Sequence, residues 1–354
     1  MFADESHGLR AFEPADGQWQ NAAAERSGLE VRSYRLLDSH AIGLLPFRYE
    51  LDHPESDNNR PGTMRLASRR LFAGENSSSP LFVAIHSESK TRVGALQCQQ
   101  GESDERWTLQ YLASSEAANQ ENPVPIVMLE YAIGEAGACG ARRIMARSEV
   151  DSAMTGSLRA AGFSAFAHEY VYALPVVPAG EASRSVRTQE KSDVWGIHQL
   201  YLQTTPRDVQ NAEALTSHEW DLDLEGRSRR GWLMSSGNGP NAYVRVRTTR
   251  KYHRLDVMFE PEAQNDLSTL LSAVFAALRH ESARPTYVSV RGYQQELASA
   301  LCSAGFELET EQLMMVRYTT APAPARTAEG FELLRAVESD PRRVPSFYVR
   351  DLHE

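Results

Sequence analysis

The sequence predicts an α/β fold made twice. Residues 158–163 read LRAAGF and residues 301–306 read LCSAGF, 143 residues apart. Each copy follows a strand-like run and a helical stretch and leads into another strand-like run, so one order of elements passes along the chain two times. The length of 354 residues allows two cores, because one domain usually holds about 100–200 residues. A repeat this long is a duplicated domain; solenoid repeats are about 20–50 residues. Each copy is expected to be a mixed, twisted sheet flanked by helices.

In the first copy, GLEVRSYRL (28–36) alternates as a half-buried strand does. TMRLASRRLFAG (63–74) puts Met64, Leu66 and Leu71 on one helical side and stops at Gly74. PLFVAIHSES (80–89) and RVGALQCQQ (92–100) read as a hairpin. RWTLQYLAS (106–114) reads as a third strand, with Trp107, Leu109 and Tyr111 alternating with polar neighbours. IVMLEYAIGEAGACG (126–140) is an apolar helix ended by Gly140, and ARRIMARS (141–148) a strand. A helix follows, with Asp151 as its expected N-cap and Gly162 as its stop. HEYVYALPVV (168–177) is the last strand.

The second copy keeps that order. DVWGIHQLYLQTTP (193–206) and RDVQNAEALTSHEW (207–220) are helices. RGWLMSSG (230–237) and NAYVRVRTT (241–249) are strands joined by the turn GNGP. YHRLDVMFE (252–260) is the third strand, DLSTLLSAVFAALRH (266–280) the apolar helix and PTYVSVRG (285–292) a strand. A helix through LCSAGF and the strand QLMMVRYTT close the copy. The expected division is a loosely held segment 1–25, a first domain 26–177, a linker 178–187, a second domain 188–320 and a tail 321–354. APAPAR in the tail is a stiff spacer. VPSFYVR is an extended segment suited to a sheet edge, in its own molecule or in a protein partner.

Composition narrows the classes. Apolar residues are 42% and charged residues 24%, as in an ordinary globular protein. No apolar run reaches the roughly 18–20 residues that cross a bilayer, and LSTLLSAVFAAL (268–279) reads as a buried helix. The N-terminus has neither a basic nor an apolar leader region, so a cytoplasmic protein is expected, with no membrane contact. Cys98, Cys139 and Cys302 form no CxxC pair and read as buried small hydrophobes. A formal charge of −10 disfavours nucleic acid.

The order of elements, with a helix ending in AGF before a final strand, resembles the GNAT superfamily of acyl-CoA-dependent N-acyltransferases. The likeness covers about residues 28–175 and 186–318, and tandem members, the mycothiol synthases among them, share the architecture. The resemblance implies acetyl-CoA or another acyl-CoA as cofactor, no metal, and a small-molecule or peptide amine as acceptor. It also implies a glycine-containing loop after the fourth strand, whose amides hold the cofactor pyrophosphate at a helix start. Here that loop reads SSEAANQENPVP (114–125) in one copy and PEAQNDLS (261–268) in the other, without glycine and with Glu116, Glu121, Glu262 and Asp266. The second loop gives Phe259, Asn265, Asp266, Leu267 and Ser268 as the candidate cofactor-binding residues. Many members place a proton-donating tyrosine four residues before the glycine of the GF pair; Leu158 and Leu301 stand there. The asparagine seven residues earlier is Asp151 in one copy and Gln294 in the other. The family base is often a fourth-strand glutamate or an ordered water; the first copy's TLQYLA has no acid, and the second offers Asp256 and Glu260 as candidates, of which Asp256 also reads as a solvated strand residue.

Other signals are weaker. His168-Glu169 and His218-Glu219 begin like a zincin motif, and neither continues to a second histidine. Arg245, Arg247, Arg250, Lys251 and Arg254 cluster, and read either as a solvated sheet face or as an anion- or partner-recognising patch. Two functions stand: an acyltransferase working through degenerate loops, or a catalytically inactive tandem protein that binds or assembles. A cleft left open between the fourth and fifth strands favours the first. A Trp or Leu plugging it favours the second.

Overall fold

The computed structural model describes residues 28–53, 79–101, 105–119, 122–222, 229–237, 239–281 and 284–319. The N-terminal segment 1–25, the expected helix 63–74 and the tail 321–354 lie outside the described residues. The first half contributes strands β1 (Leu29–Ser33), β2 (Phe47–Glu50), β3 (Leu81–His86), β4 (Arg92–Gln100), β5 (Arg106–Ser114), β6 (Arg143–Glu149) and β7 (Ser164–Leu174). Its helices are α1 (Ser39–Gly43), α2 (Pro123–Ala138) and α3 (Ala153–Ala160). The second half contributes β8 (Arg187–Thr188), β9 (Arg229–Ser235), β10 (Pro240–Thr248), β11 (His253–Phe259), β12 (Thr286–Arg291) and β13 (Glu307–Tyr318). Its helices are α4 (Val194–Thr204), α5 (Arg207–Glu213), α6 (Leu267–Leu278) and α7 (Gln295–Ser303).

All the described strands join one sheet, in the order β1-β3-β4-β5-β6-β13-β7-β12-β11-β10-β9-β8, with β2 on β5. The centre of that order is an exchange. The last strand of the second half, β13, pairs with β6 of the first, and β7 of the first half pairs with β12 of the second. β7 and β13 pair antiparallel with each other, and Glu169 faces Gln312. These two residues are separated by the spacing that separates the two AGF helices, so the ladder is symmetric about them.

The cores follow the exchange. Leu313 and Met315 of β13 lie in the first-half core with α2, α3 and Phe163. Leu174 of β7 lies in the second-half core with α6, α7 and Phe306. Each fully buried aliphatic side chain contributes roughly 1.5–3 kcal/mol, and each half therefore draws on the other for its core. Gly94 lets α2 press onto β4: a Cβ there would meet Met128 Sδ at 2.5 Å and Val124 Cγ1 at 2.7 Å. The linker is docked too, since a Cβ on Gly180 would collide with the Ser272 carbonyl oxygen of α6.

A second trace of duplication lies at the start of each half. Arg32 forks onto Asp38 at 2.8 and 2.9 Å, and Arg187 forks onto Asp193 at 2.7 and 2.6 Å. Each aspartate also accepts the backbone N–H three residues before it, from Arg35 and from Glu190, and so caps a 3-10 turn.

Several expectations need correction. The N-cap of α3 is Ser152, whose Oγ accepts the Met154 N–H at 3.2 Å, and Asp151 stays outside. The helix expected over 207–220 ends at Glu213, because Ala214 turns left-handed at φ 43°, and Ser217–Trp220 is a separate 3-10 turn. First-half arginines take its terminal carbonyls: Arg143 Nη1 donates to Asn211 O at 2.7 Å, and Arg106 Nη1 to Glu213 O at 3.2 Å. Of the cysteines, Cys98 alone is fully buried, Cys139 is half-buried and Cys302 is exposed on the outer side of α7. No helix among the described residues is long and apolar enough to cross a membrane.

Expressed alone, residues 1–177 lack β13 and are expected to give no cooperative unfolding transition. Co-expression with residues 178–354 is expected to restore one, read by circular dichroism and gel filtration. A cooperatively folded first half on its own would show that the exchange is dispensable.

Candidate functional site

The place to look is where parallel neighbours part. β5 pairs β6 only over Arg106–Thr108 with Arg143–Met145, and β11 pairs β12 only over His253–Leu255 with Thr286–Val288. Beyond those residues each pair splays, which makes a cleft in each half.

The first cleft is filled by the chain itself. β2 runs antiparallel along the freed edge of β5, from Phe47 opposite Ser114 to Glu50 opposite Tyr111. The next residue closes the gap: Leu51 N–H donates to Gln110 O at 3.0 Å, and Arg147 N–H donates to Leu51 O at 2.7 Å. The Leu51 side chain is wholly buried in the first-half core. Among the described residues, several amides of the loop after β5 are engaged within the protein. Ser115 N–H reaches Val93 O, Ala118 N–H reaches Tyr49 Oη at 2.6 Å, and Asn122 N–H reaches Asn119 Oδ1 at 2.7 Å. At the start of α2, Pro123 and Pro125 have no N–H, and Val124 N–H is capped by Asn122 Oδ1 at 3.0 Å. A helix N-terminus binds anions through free amides, and this one has little to give.

The second cleft is bridged more lightly. Gln294 Oε1 accepts the Arg291 N–H of β12 at 3.1 Å, and its Nε2 donates to Val257 O of β11 at 3.1 Å. One side-chain amide thus does what the Leu51 backbone does in the first half. The loop expected to bind cofactor is a 3-10 helix, Pro261–Asp266, that runs directly into α6. Phe259 and Leu267 are buried in the second-half core, and Asn265, Asp266 and Ser268 are exposed. Glu260 at its head donates its N–H to Asn241 O at 2.8 Å. Leu158 and Leu301, where the family carries a proton donor, are both fully buried.

Both clefts face a cavity of about 340 Å³ at the middle of the sheet, under α4 and α5. Among the described residues its wall holds seven arginines (106, 147, 229, 245, 247, 254 and 291) and five carboxylates (Asp52, Glu169, Glu213, Glu219 and Asp256). Arg147, Glu169, Arg254, Asp256 and Arg245 form a chain of ion pairs, with further pairs beside it. Arg147 pairs with Asp52 and with Glu169, both at 2.9 Å. Arg254 lies 3.6 Å from Glu169 and 3.5 Å from Asp256, and donates to Ser289 Oγ at 2.9 Å. Arg245 binds Asp256 at 2.9 Å and stacks 5.0 Å from the Trp220 ring. Arg106 holds Glu219, and Arg291 holds Glu213, both at 2.7 Å. Glu213 also accepts Tyr201 Oη at 2.9 Å.

Burial opposes the charge of Glu169, but Arg147, Arg291 and Arg254 outweigh it and hold the carboxyl at about 2. Asp256 is likewise held far below the ordinary range: burial raises it, and Arg245, Arg254 and Arg247 overcome that. His53 is pushed well down by burial and by Arg147, Arg254, Arg247 and Arg291, so its imidazole stays neutral.

These placements correct the sequence reading of the basic cluster. Arg245, Arg247 and Arg254 line the cavity and are not a solvated sheet face; only Arg250 and Lys251 stay exposed, where β10 turns into β11. Arg247 stands directly opposite Arg254 across the ladder. Like charges so placed repel, and the carboxylates Asp256 and Glu169 beside Arg254 offset the cost. Asp256 faces Arg245 across the same ladder and lines the cavity, with its side chain still about 35% exposed. A carboxylate so stabilised in its charged form is a weak proton acceptor. Sequence reasoning missed Leu51, Arg147, Glu169, Glu213 and Arg291. The alternation of Phe47, Tyr49 and Leu51 was a strand signal, and Glu169 was visible only as half of a metal motif. Among the described residues no group of His, Cys, Asp and Glu is arranged to hold a metal ion.

No protein-family model matches the sequence, and no curated protein matches it significantly. Solved structures do match. A GCN5-related N-acetyltransferase from Sphaerobacter thermophilus superposes with a TM-score of 0.56 at 10% identity, over 84% of this chain and 98% of its own. A tandem GNAT protein from the clavulanic acid biosynthesis pathway superposes with a TM-score of 0.50 at 15% identity, over 83% of this chain and 100% of its own. The chain has a tandem GNAT fold. At these identities the likeness establishes the architecture, and the chemistry rests on the residues above.

Replacing Glu169 by Gln leaves Arg147 and Arg254 short of their shared counter-charge, and breaking such a buried pair costs about 3–5 kcal/mol. Urea unfolding at neutral pH should show that loss. The folded carboxyls of Glu169 and Asp38 sit at about 2, below their ordinary values of 4.5 and 3.8. The folded state therefore binds fewer protons in that window, and the stability present above it is lost as pH falls towards about 2. The Glu169→Gln variant should show a shallower acid slope than the parent.

Proposed function

We propose that this protein is a tandem GNAT-fold binding protein that has ceded acyl transfer and works through its central cavity. The observation that carries this reading is the closure of both clefts by the chain's own amides, Leu51 in the backbone of one half and Gln294 in the side chain of the other. The carboxylates Glu260, Glu262 and Asp266 at the second loop and the absence of a proton donor at Leu158 and Leu301 support it.

One observation favours a second reading, an acyl-CoA-dependent N-acyltransferase with a single competent half. The second cleft is spanned only by a side chain on rotatable bonds, and Asp256 lies next to Val257 at its mouth. An amine acceptor in the cavity would meet Asp256.

Calorimetric titration of the full-length protein with acetyl-CoA at physiological salt separates the two. The binding-protein reading expects no saturable heat with millimolar ligand. One equivalent bound more tightly than roughly 100 μM, about −5.5 kcal/mol, would overturn it. Amine acetylation abolished by Asp256→Asn would then establish the second reading.

A further inference from the structure

The roof of the central cavity is a short excursion of the second half, from Pro206 to Trp220. It carries α5, a left-handed residue at Ala214 and the 3-10 turn Ser217–Trp220. Glu213, Leu215, Glu219 and Trp220 of this stretch line the cavity. Both of its ends are anchored. Gln210 Nε2 ties α5 back to the end of α4, donating to Leu202 O at 2.8 Å and to Thr205 O at 2.6 Å. Trp220 is buried with Ile197, Leu200 and Tyr243, and its carbonyl accepts Gln189 Nε2 at 2.7 Å.

Between the anchors the fastening to the sheet is ionic and polar. Arg106 of β5 pairs with Glu219, and Arg291 of β12 with Glu213, both at 2.7 Å. Arg143 of β6 donates to Asn211 O at 2.7 Å, and Arg245 of β10 to Glu219 O at 2.8 Å. The apolar seat is slight beside these. α5 turns Val209 and Ala212 inward, and Ala212 meets Met145, Val316 and the half-buried Phe166. By contrast, α6 buries Leu267, Leu270, Leu271, Val274, Phe275 and Leu278. Lifting an apolar face exposes it to water at full cost, whereas water replaces a guanidinium contact at small net loss. Arg106, Glu219 and Arg291 are 18%, 15% and 20% exposed, so water already touches these pairs.

A second observation points the same way. Ala214 has φ 43° and ψ 48°, a left-handed backbone that disfavours any residue with a Cβ. Among the described non-glycine residues it shares a positive φ only with Lys90, in the turn between β3 and β4. Strain of this kind persists where the surroundings impose it. Here the closed roof imposes it, so lifting the roof releases it.

We propose that residues 206–219 are a lid on the central cavity, lifting between the anchors at α4 and Trp220. Arg106, Arg143, Arg245 and Arg291 latch it, and Ala214 is its spring. The latch draws on strands of both halves, so the lid closes only on the assembled sheet. Its role as a gate rests on the reading of the cavity as the working site; its opening needs no ligand to be seen.

The test uses the full-length protein and two readouts. In hydrogen–deuterium exchange, amides of residues 207–219 should exchange faster than those of α6 and β13. Raising potassium chloride from about 0.05 M to about 1 M should accelerate them roughly threefold or more and leave α6 and β13 unchanged. Arg106→Gln should accelerate them roughly tenfold, and Ala214→Gly should slow them roughly threefold. Access is read by iodoacetamide labelling of Met314→Cys, a cavity position 1% exposed in the parent. Labelling should rise with salt and with Arg106→Gln, and fall with Ala214→Gly. Cys98, wholly buried in the first-half core, reports global opening and should stay unlabelled. If Arg106→Gln fails to fold, the salt series and Ala214→Gly decide; Met145→Cys, beneath Ala212, replaces Met314→Cys on the same ground. Exchange of 207–219 at the rate of α6, or equal acceleration of all elements by salt, overturns the lid. A mobile 207–219 with the introduced thiol labelled no faster than Cys98 overturns its control of the cavity. Saturable acetyl-CoA binding would overturn the binding-protein reading and leave the lid standing.

Discussion

The rest of the structure depends on the ladder between β7 and β13. Because Glu169 faces Gln312 at its centre, each of these strands lies beside the other half's sheet as well as beside its twin. The two cores are thereby completed crosswise, through Leu313 and Met315 on one side and Leu174 on the other. Duplication alone would give two beads on a string. Exchange of the last strand makes one sheet, and gives the molecule a middle.

That middle is where the charge collects. The inward residues of β6, β7, β11 and β12 meet at the axis, and the chain has placed long polar side chains there. Glu169, almost fully buried, lies within reach of two arginines from different halves, Arg147 at 2.9 Å and Arg254 at 3.6 Å. Buried pairs of this kind add little net stability compared with apolar packing, since desolvation offsets their attraction. Their retention in the centre of the sheet is better explained by what they hold open: a polar space between two otherwise apolar cores. The halves have also diverged around it. The first closed its cleft with a strand, the second with one amide.

Much of the fold was legible in the residues. The alternating runs and the apolar helices have a fixed period, and the stops at Gly140 and Gly162 need the left-handed backbone they adopt, at φ 88° and 83°. The strand exchange was not legible, because the register of β13 on β6 is set by tertiary packing between distant segments and leaves no local pattern. The fork of arginine onto an aspartate six residues on, present at Arg32 and at Arg187, was in plain view as a second repeat, but its meaning is a side-chain geometry and not a periodicity. The cavity was half legible. Arg245, Arg247 and Arg254 drew notice by their density, whereas Arg147 and Arg291 are single arginines whose importance comes from where the sheet brings them. Leu51 could not have been singled out as a plug, since only the splay of β5 from β6 creates the gap it fills.

The crossed strands also shape how such a chain can be made. Residues 312–318 must find residues 143–149, and residues 286–291 must find residues 169–174. Contacts so far apart in sequence slow the search for the native state. During synthesis the first half emerges with the edge of β6 unmet and part of its core open, and it waits until nearly all the described chain has left the ribosome. An unpaired strand edge exposed for that interval invites pairing with a neighbouring chain. The same ladder that unites the finished molecule therefore leaves an open edge on the way to it, which only the last described strand can cover.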